Sequence, residues 1–410
     1  MKNSRHHNGE SSLVKVVSLV VASCLVSCTA YAQTVVSDAD GFQRAVGNAK
    51  PGDVVLLAPG DYPGGFYFQD LHGEPDRPIV IASRDPSNPA RFVGGATAIH
   101  LAGAAHVELR DFVVTGATAN GLNLDDQGSI QKAAHHLALR RLTVTNVGPE
   151  GNRDGVKMSG VDDFTIEDCR VSDWGSDGSG IDMVGCHRGL IRGNRFGGAM
   201  NRGSEGVQMK GGSSEIVVRQ NRFENAGQRA VNIGGSTGLE YFRPPLASWT
   251  RPYSEAWGIT VEGNLFVGSA APVAFVGVDG AVVRFNTIYR PKRWALRILQ
   301  QTLADGFVPS RNGVFASNLV VFRSDEWASG GINIGPATAP ETFRFEQNAW
   351  YCLDRPEASR PNLPMPEANG IYGVEPVFVE AGQDAYTQSE TSPTRSVGRD
   401  GFTKEPPRHE

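Results

Sequence analysis

Six side chains could do chemistry together: Lys157, Asp182, Glu205, Gln208, Lys210 and Asn232. They sit in or beside segments of one form: Gly155-Val156-Lys157-Met158-Ser159, Gly180-Ile181-Asp182-Met183-Val184, Gly206-Val207-Gln208-Met209-Lys210 and Ala230-Val231-Asn232-Ile233-Gly234. Amines and amides side by side hold an anion, and an amine able to release its proton can serve as a base. Two-carboxylate hydrolysis is poorly served, because the same region offers chiefly Asp182 with Glu205. Histidine supplies alternative bases at His100, His187 and His135-His136. The pair precedes an expected strand from Leu137 to Val144, and His187 follows Cys186, so both fall in expected turns.

A second group surrounds the first. Between Asn232 and Ala274 the chain runs 42 residues, and this stretch carries Tyr241-Phe242-Arg243-Pro244-Pro245, Trp249, Arg251-Pro252-Tyr253 and Trp257. Aromatic faces stack on sugar rings and arginines pair with carboxylate or sulfate, so the stretch suits an acidic glycan; the alternative is a loop folding its aromatics into a miniature core. Tyr289-Arg290-Pro291-Lys292-Arg293-Trp294 and Arg297 add a basic patch to a chain of formal net charge −5. Cations concentrated in an acidic protein favour an anionic polymer as partner, and the overall balance argues against nucleic acid.

What must position these groups is a repeat. The four segments recur at offsets of 25, 26 and 24 residues. Alternation within each makes a half-buried strand, and one such strand per period in the twenties is the mark of a solenoid. The outward residues form one column: His100, Asn123, Lys157, Asp182, Gln208, Asn232, Ala274, Arg297 and Asn333. A second strand repeats in step, from Ile166-Glu167-Asp168-Cys169-Arg170-Val171 through Asn194, Asn221, Asn264, Asn286, Asn318 and Asn348. Stacked asparagines bond to one another and tolerate left-handed turns, so that column is read as structural. Composition agrees: 410 residues with 49 glycines, 40% hydrophobic and only 20% charged, exclude disorder and collagen and favour short strands with tight turns. Ahead of the repeat, Ser37-Asp38-Ala39-Asp40 should cap a helix over Gly41 to Asn48, and Val54-Val55-Leu56-Leu57 reads as a fully buried strand.

Coils in the twenties with glycine turns and an asparagine ladder resemble the all-β, single-stranded right-handed parallel β-helix of the pectin-lyase-like superfamily, from Gly52 to about Phe378. The Asn-Thr-Asp, Gly-Asp-Asp, Gly-His-Gly and Arg-Ile-Lys motifs of polygalacturonases are missing, Asp125-Asp126 lacking the preceding glycine. So is the Arg-x-Pro-x-x-Arg of family one pectate lyases. Locally, Ser204-Glu205-Gly206-Val207-Gln208-Met209-Lys210-Gly211 resembles the strand of family six polysaccharide lyases, chondroitinase B and alginate lyases among them, in which a calcium-ligand glutamate stands five residues before a lysine base. The resemblance implies Lys210 as base, Glu205 as a Ca²⁺ ligand, and Asn232 in the place of the family's arginine. Gly203 replaces a second glutamate, so Asp182 or Asp177 would have to complete a calcium site.

The reading is therefore a polysaccharide lyase that cleaves a uronic-acid polymer by β-elimination, with Lys210, Gln208 and Asn232 at the reacting centre. Lys157, Arg229, Tyr241, Arg243, Trp249, Arg293 and Arg297 would bind the polymer. A non-catalytic glycan-binding β-helix and a uronate C5-epimerase are the alternatives. For Glu205, a salt bridge to Arg229 one rung away is the competing role. Lys2, Arg5, an apolar stretch from Val16 to Val26 and Ala30-Tyr31-Ala32 read as a signal peptide over residues 1–32, giving a secreted or periplasmic protein. Leu25-Val26-Ser27-Cys28 allows lipoprotein anchoring through Cys28 instead. Residues 33–380 form the β-helix domain and 381–410 a polar tail or final cap, with no transmembrane segment and a monomer expected. Cys169, Cys186 and Cys352 are expected to be small buried hydrophobes.

Overall fold

Alternating side chains on parallel strands bring every second residue to the same face, and here they stack coil upon coil. In the computed structural model, which describes residues 1, 33–199, 204–379 and 386–402, the outward column is in register throughout. His100 pairs with Asn123, Asn123 with Lys157, Lys157 with Asp182, Asp182 with Gln208 and Gln208 with Asn232. Beyond the long insert the register resumes as Asn232, Ala274, Arg297 and Asn333. Val156, Ile181, Val207 and Val231 stack inside, all 2% exposed or less. Each such side chain contributes about 1.5–3 kcal/mol of burial. The expected signal peptide, with Cys24 and Cys28, lies outside the described residues.

Each coil has three strands where the sequence reading has two. A 10-stranded sheet carries the outward column, and two 12-stranded sheets complete the right-handed parallel β-helix. The second repeated segment splits into Val161–Glu167 and Arg170–Ser172, on different sheets, because the chain turns at Asp168 with φ 55°. The left-handed residue is the one before the ladder position, as at Gly193, Gln220 and Gly263, and the asparagine itself is not strained. It serves as bracket: Asn194 Nδ2 donates to Asn221 Oδ1 at 3.0 Å, Asn221 to Asn264 at 3.0 Å and Asn264 to Asn286 at 2.9 Å, and the backbone N–H of each donating asparagine bonds the same oxygen. Beside the ladder Phe196, Phe223 and Phe266 stack with centroids 4.8 and 4.9 Å apart.

A solenoid ends in open strand edges, which need covering. The helix Ala39–Gly47, capped by Asp38 accepting from Gly41 N at 2.7 Å, lays Phe42 and Val46 over the first coil. Phe42 packs edge-on against Phe66 at 4.6 Å. Val54–Leu57 is half-buried in alternation, not fully buried, since only Val55 and Leu57 face inward. Residues 386–402 fold back on the late coils, with Gly398 N donating to Ser317 O at 2.8 Å. The three cysteines are buried and unpaired, and burial pushes the Cys186 thiol up to about 12. No helix among the described residues is long and apolar enough to cross a membrane.

Candidate functional site

The 10-stranded sheet forms the floor of the site. At its centre Asp182, 1% exposed, takes Lys157 in a close ion pair and Lys210 Nζ at 3.3 Å. Burial alone would raise this carboxyl, but the two ammonium groups outweigh it and hold the pKa below the ordinary range. Burial likewise disfavours the Lys157 ammonium, and Asp182 and Asp154 more than compensate. The strand pattern suggests no carboxylate neighbour for Lys210. The structure supplies one diagonally: Asp182 lies opposite Gln208, and a lysine two residues along reaches back to it. The hydrogen bond of Lys210 goes elsewhere, to Gln208 Oε1 at 2.9 Å, leaving Asp182 Oδ1 with an ion pair but no hydrogen bond.

On the turn side of the same strands, Asp154, Ser179, Glu205 and Arg229 follow one another. Burial, with repulsion from Asp182, raises the Asp154 carboxyl to about 7. Glu205 is also pushed by burial to about 7, although Arg229 Nη1 stands 3.6 Å away. Arg229 donates to Asn232 Oδ1 at 3.2 Å. Asn232 is wholly buried and Gln208 nearly so, which makes them supports for Arg229 and Lys210. Further along, Arg297 donates to Asn333 Oδ1 at 2.8 Å and has no carboxylate partner among the described residues. Burial, then repulsion from Arg229 and Arg293, lowers its pKa to about 10. The guanidinium groups of Arg293 and Arg297 lie 4.4 and 4.7 Å from the Trp294 ring centroid. Lys157, Lys210, Arg229 and Arg297 thus outnumber the ionised carboxylates beside them.

The long insert walls the floor. Arg243 makes a two-point pair with buried Asp126, at 2.6 and 3.0 Å, and its third nitrogen donates to Tyr241 O. Glu255, fully buried, accepts from Gly211 N and Thr237 N at 2.9 Å, from Thr237 Oγ1 and from Thr302 Oγ1. Phe242, Trp249, Tyr253 and Phe307 pack edge to face into a miniature core, and the Trp249 indole donates to Pro244 O. Arg243 and Trp249 are therefore committed to holding the loop. Tyr241, 56% exposed, stands at the mouth of a 560 Å³ cleft lined also by Asn123, Lys157, Lys210 and Thr237. At the far side His100 Nε2 meets Asp125 Oδ2 at 2.6 Å, with Asn123 Nδ2 on the same oxygen at 3.0 Å. Sequence reading missed this triad, although His100 and Asn123 share the marker column and Asp125 lies two places on.

A calcium site drawn from Glu205 and Asp182 does not suit these surroundings. Ca²⁺ takes six to eight oxygens, whereas Asp182 faces two lysines and Glu205 faces Arg229. His135 and His136 lie near the start of the strand Ala134–Arg140 and His187 opens His187–Arg192, so they fall within strands rather than in the expected connecting turns, although His136 itself is left-handed, and all are on a different sheet from the floor.

Residues 97–243 match the family model described as the right handed beta helix region. No curated protein matches the sequence. Among solved structures, an alginate lyase from Paenibacillus sp. str. FPU-7 is 19% identical with a TM-score of 0.51, over 75% of this chain and 96% of that one. The PL6 family alginate lyase AlyGC is 15% identical with a TM-score of 0.52, over 90% of this chain and 56% of that one. Pectate lyase Pel9A is 11% identical with a TM-score of 0.56, over 90% and 92%. At such identities the likeness is one of fold: the chain is a right-handed parallel β-helix, the architecture of these lyases.

Proposed function

We propose that this protein is an exported polysaccharide lyase acting on a uronic-acid polymer by β-elimination along the floor of the 10-stranded sheet. The observation that carries the reading is the surplus of cations there, with Arg297 lacking any carboxylate among the described residues and two lysines sharing Asp182. A polymer carboxylate laid across Arg229 and Lys157 has its charge met, which acidifies the adjacent C–H. Lys157 is the closer partner of Asp182 and keeps its proton. Lys210, hydrogen-bonded to a neutral amide, is the group placed to take one from substrate. Lys210 acts in its neutral form, after its ammonium proton has passed to solvent: it takes the C–H proton, the electron pair forms the new double bond, the glycosidic C–O bond breaks, and the departing oxygen takes a proton from water. Asn232 and Gln208 act by positioning.

The ion pair of Lys210 with Asp182 favours a second reading, capture of the polymer without cleavage. Incubation with alginate, polygalacturonate and chondroitin sulfate, followed by ultraviolet absorbance of the unsaturated uronate, separates the two. Rising absorbance with one polymer is expected; binding without any rise supports capture, and proton exchange without cleavage supports epimerisation.

A further inference from the structure

Five of the nine histidines gather near the N-terminal ends of neighbouring strands in one 12-stranded sheet, away from the groove floor. His72 pairs with Ala105, Ala105 with His135, His135 with Asp162 and Asp162 with His187. His106 and His136 follow in the next column, both left-handed at φ 52° and 55°. That turn breaks the strand's alternation, so consecutive residues His135 and His136 bring their Nδ1 atoms to 2.9 Å. His106 completes the group, with its ring 4.4 Å from that of His136 and 5.3 Å from that of His135. One ligand nitrogen from each of the three lies within 4.8 Å of the others.

The other histidines have employment: His72 Nε2 meets Gly103 O at 3.0 Å and His187 Nδ1 meets Ser214 Oγ at 2.8 Å. The His106 imidazole, by contrast, makes no hydrogen bond among the described residues, and the imidazoles of His135 and His136 bond only to each other. Asp163, opposite His136, is held by Arg188 at 2.7 and 3.0 Å. Asp162, opposite His135, keeps a buried Oδ1 with no hydrogen-bond partner. We propose that His106, His135 and His136 form a binding site for a divalent transition metal of the zinc or copper type.

The donor chemistry selects the ion. Imidazole nitrogen suits Zn²⁺, Ni²⁺ and Cu²⁺, and not the hard Ca²⁺. Tetrahedral zinc places its nitrogens about 3.3 Å apart, from bond lengths of about 2.0–2.1 Å. His135 and His136 are already closer than that, and the exposed His136 ring must turn out of its stack on His106 for all three donors to converge. The metal then displaces the hydrogen between the two Nδ1 atoms, and the ring that carried it becomes the Nε2–H tautomer by exchange with solvent. Asp162 is placed to orient an imidazole from the second rank, as carboxylates commonly do. Three protein ligands leave a coordination position open to water or an added ligand.

The test uses tag-free full-length chain, stripped by dialysis against chelator and titrated with Zn²⁺ in a calorimeter. One equivalent at micromolar affinity or tighter is expected. His106→Asn with His136→Asn, chosen because asparagine accepts the left-handed backbone, should weaken binding at least tenfold, while His72→Asn leaves it unchanged. Copper loading of the wild type should give an electron paramagnetic resonance spectrum with hyperfine structure from several imidazole nitrogens, a readout independent of whether the variants fold. Absence of a one-equivalent site, equal affinity in the folded double variant, or a copper spectrum without multiple nitrogens would each overturn the proposal.

Discussion

Replacing Lys210 tests the proposed chemistry most directly. Its ammonium lies 3.3 Å from Asp182, a gross attraction of about 5 kcal/mol at an effective dielectric of about 20. Most of that offsets the removal of both ions from water. Asp182 keeps Lys157, so no buried carboxylate is stranded. Lys210→Met, which retains the aliphatic stem, should therefore lower unfolding free energy by only about 1 kcal/mol, and Lys210→Ala by slightly more for lost packing. Loss of a base, by contrast, removes about 10²- to 10⁴-fold of rate, or roughly 2.7–5.4 kcal/mol of transition-state stabilisation. The two quantities come from urea unfolding and from the initial rate of uronate absorbance on a polymer that the wild type cleaves. A folded Lys210→Met protein with wild-type kcat would refute Lys210 as the base and move attention to Lys157.

Arg243→Met strands Asp126, whose side chain is 1% exposed, and should cost about 3–5 kcal/mol, seen as a lower Tm by calorimetry and partly restored by adding Asp126→Asn. Burial raises Glu205 to about 7, whereas the unfolded chain releases that proton near about 4.3, so between those values the folded state binds more protons and this group's contribution to stability falls as pH rises. Glu205→Gln should remove that component from urea-derived stability between pH 4.5 and 7; an unaltered slope would count against the raised carboxyl. Polymer binding should weaken as salt rises from about 0.05 to 0.5 M, because the Debye length shrinks across the cation row; affinity insensitive to salt would remove the anionic-substrate reading. Chelation followed by added Ca²⁺ should leave turnover within about twofold, since Asp182 and Glu205 face cations; recovery that depends on Ca²⁺ would show that other oxygens assemble a site.

How much of this was legible in the sequence depends on the range of the physics involved. The period of the small-apolar-X-apolar-X segments predicts the pairing of Lys157, Asp182, Gln208 and Asn232, because register in a buried sheet follows from alternation. The asparagine column is visible for the same reason. The third strand of each coil is not, since a single left-handed residue such as Asp168 sets the bend and carries no reliable residue type. Side-chain pairing is harder still. Asp126 and Arg243 are 117 positions apart and meet only because the insert takes one path over the sheet. The roles of Trp249 and Tyr241 also follow from that path: one is folded into the loop's own core and the other is left at the cleft. His106 joins His135 and His136 because His106 and Ala105 lie one coil below them, whereas histidines 29 and 30 positions apart signal nothing in the linear chain.

The asparagine ladder has a direction. Every side-chain amide donates toward the next coil, from Asn194 to Asn221 and onward to Asn348, so the dipoles align head to tail along the axis. Such a row polarises itself and leaves unspent donors at its final member. Here the final member meets a full negative charge: Asn348 donates through Nδ2 to Glu367 at 2.7 Å and through its backbone N–H at 3.2 Å. Trp350 Nε1 and the Tyr372 hydroxyl converge on the other oxygen, and burial together with that carboxylate raises the Tyr372 phenol to about 12. Glu367 does for this column what an acidic residue does at the first turn of an α-helix. The row is closed by a charge that no further amide can extend, which gives the asparagine series an electrostatic terminus as well as a steric one.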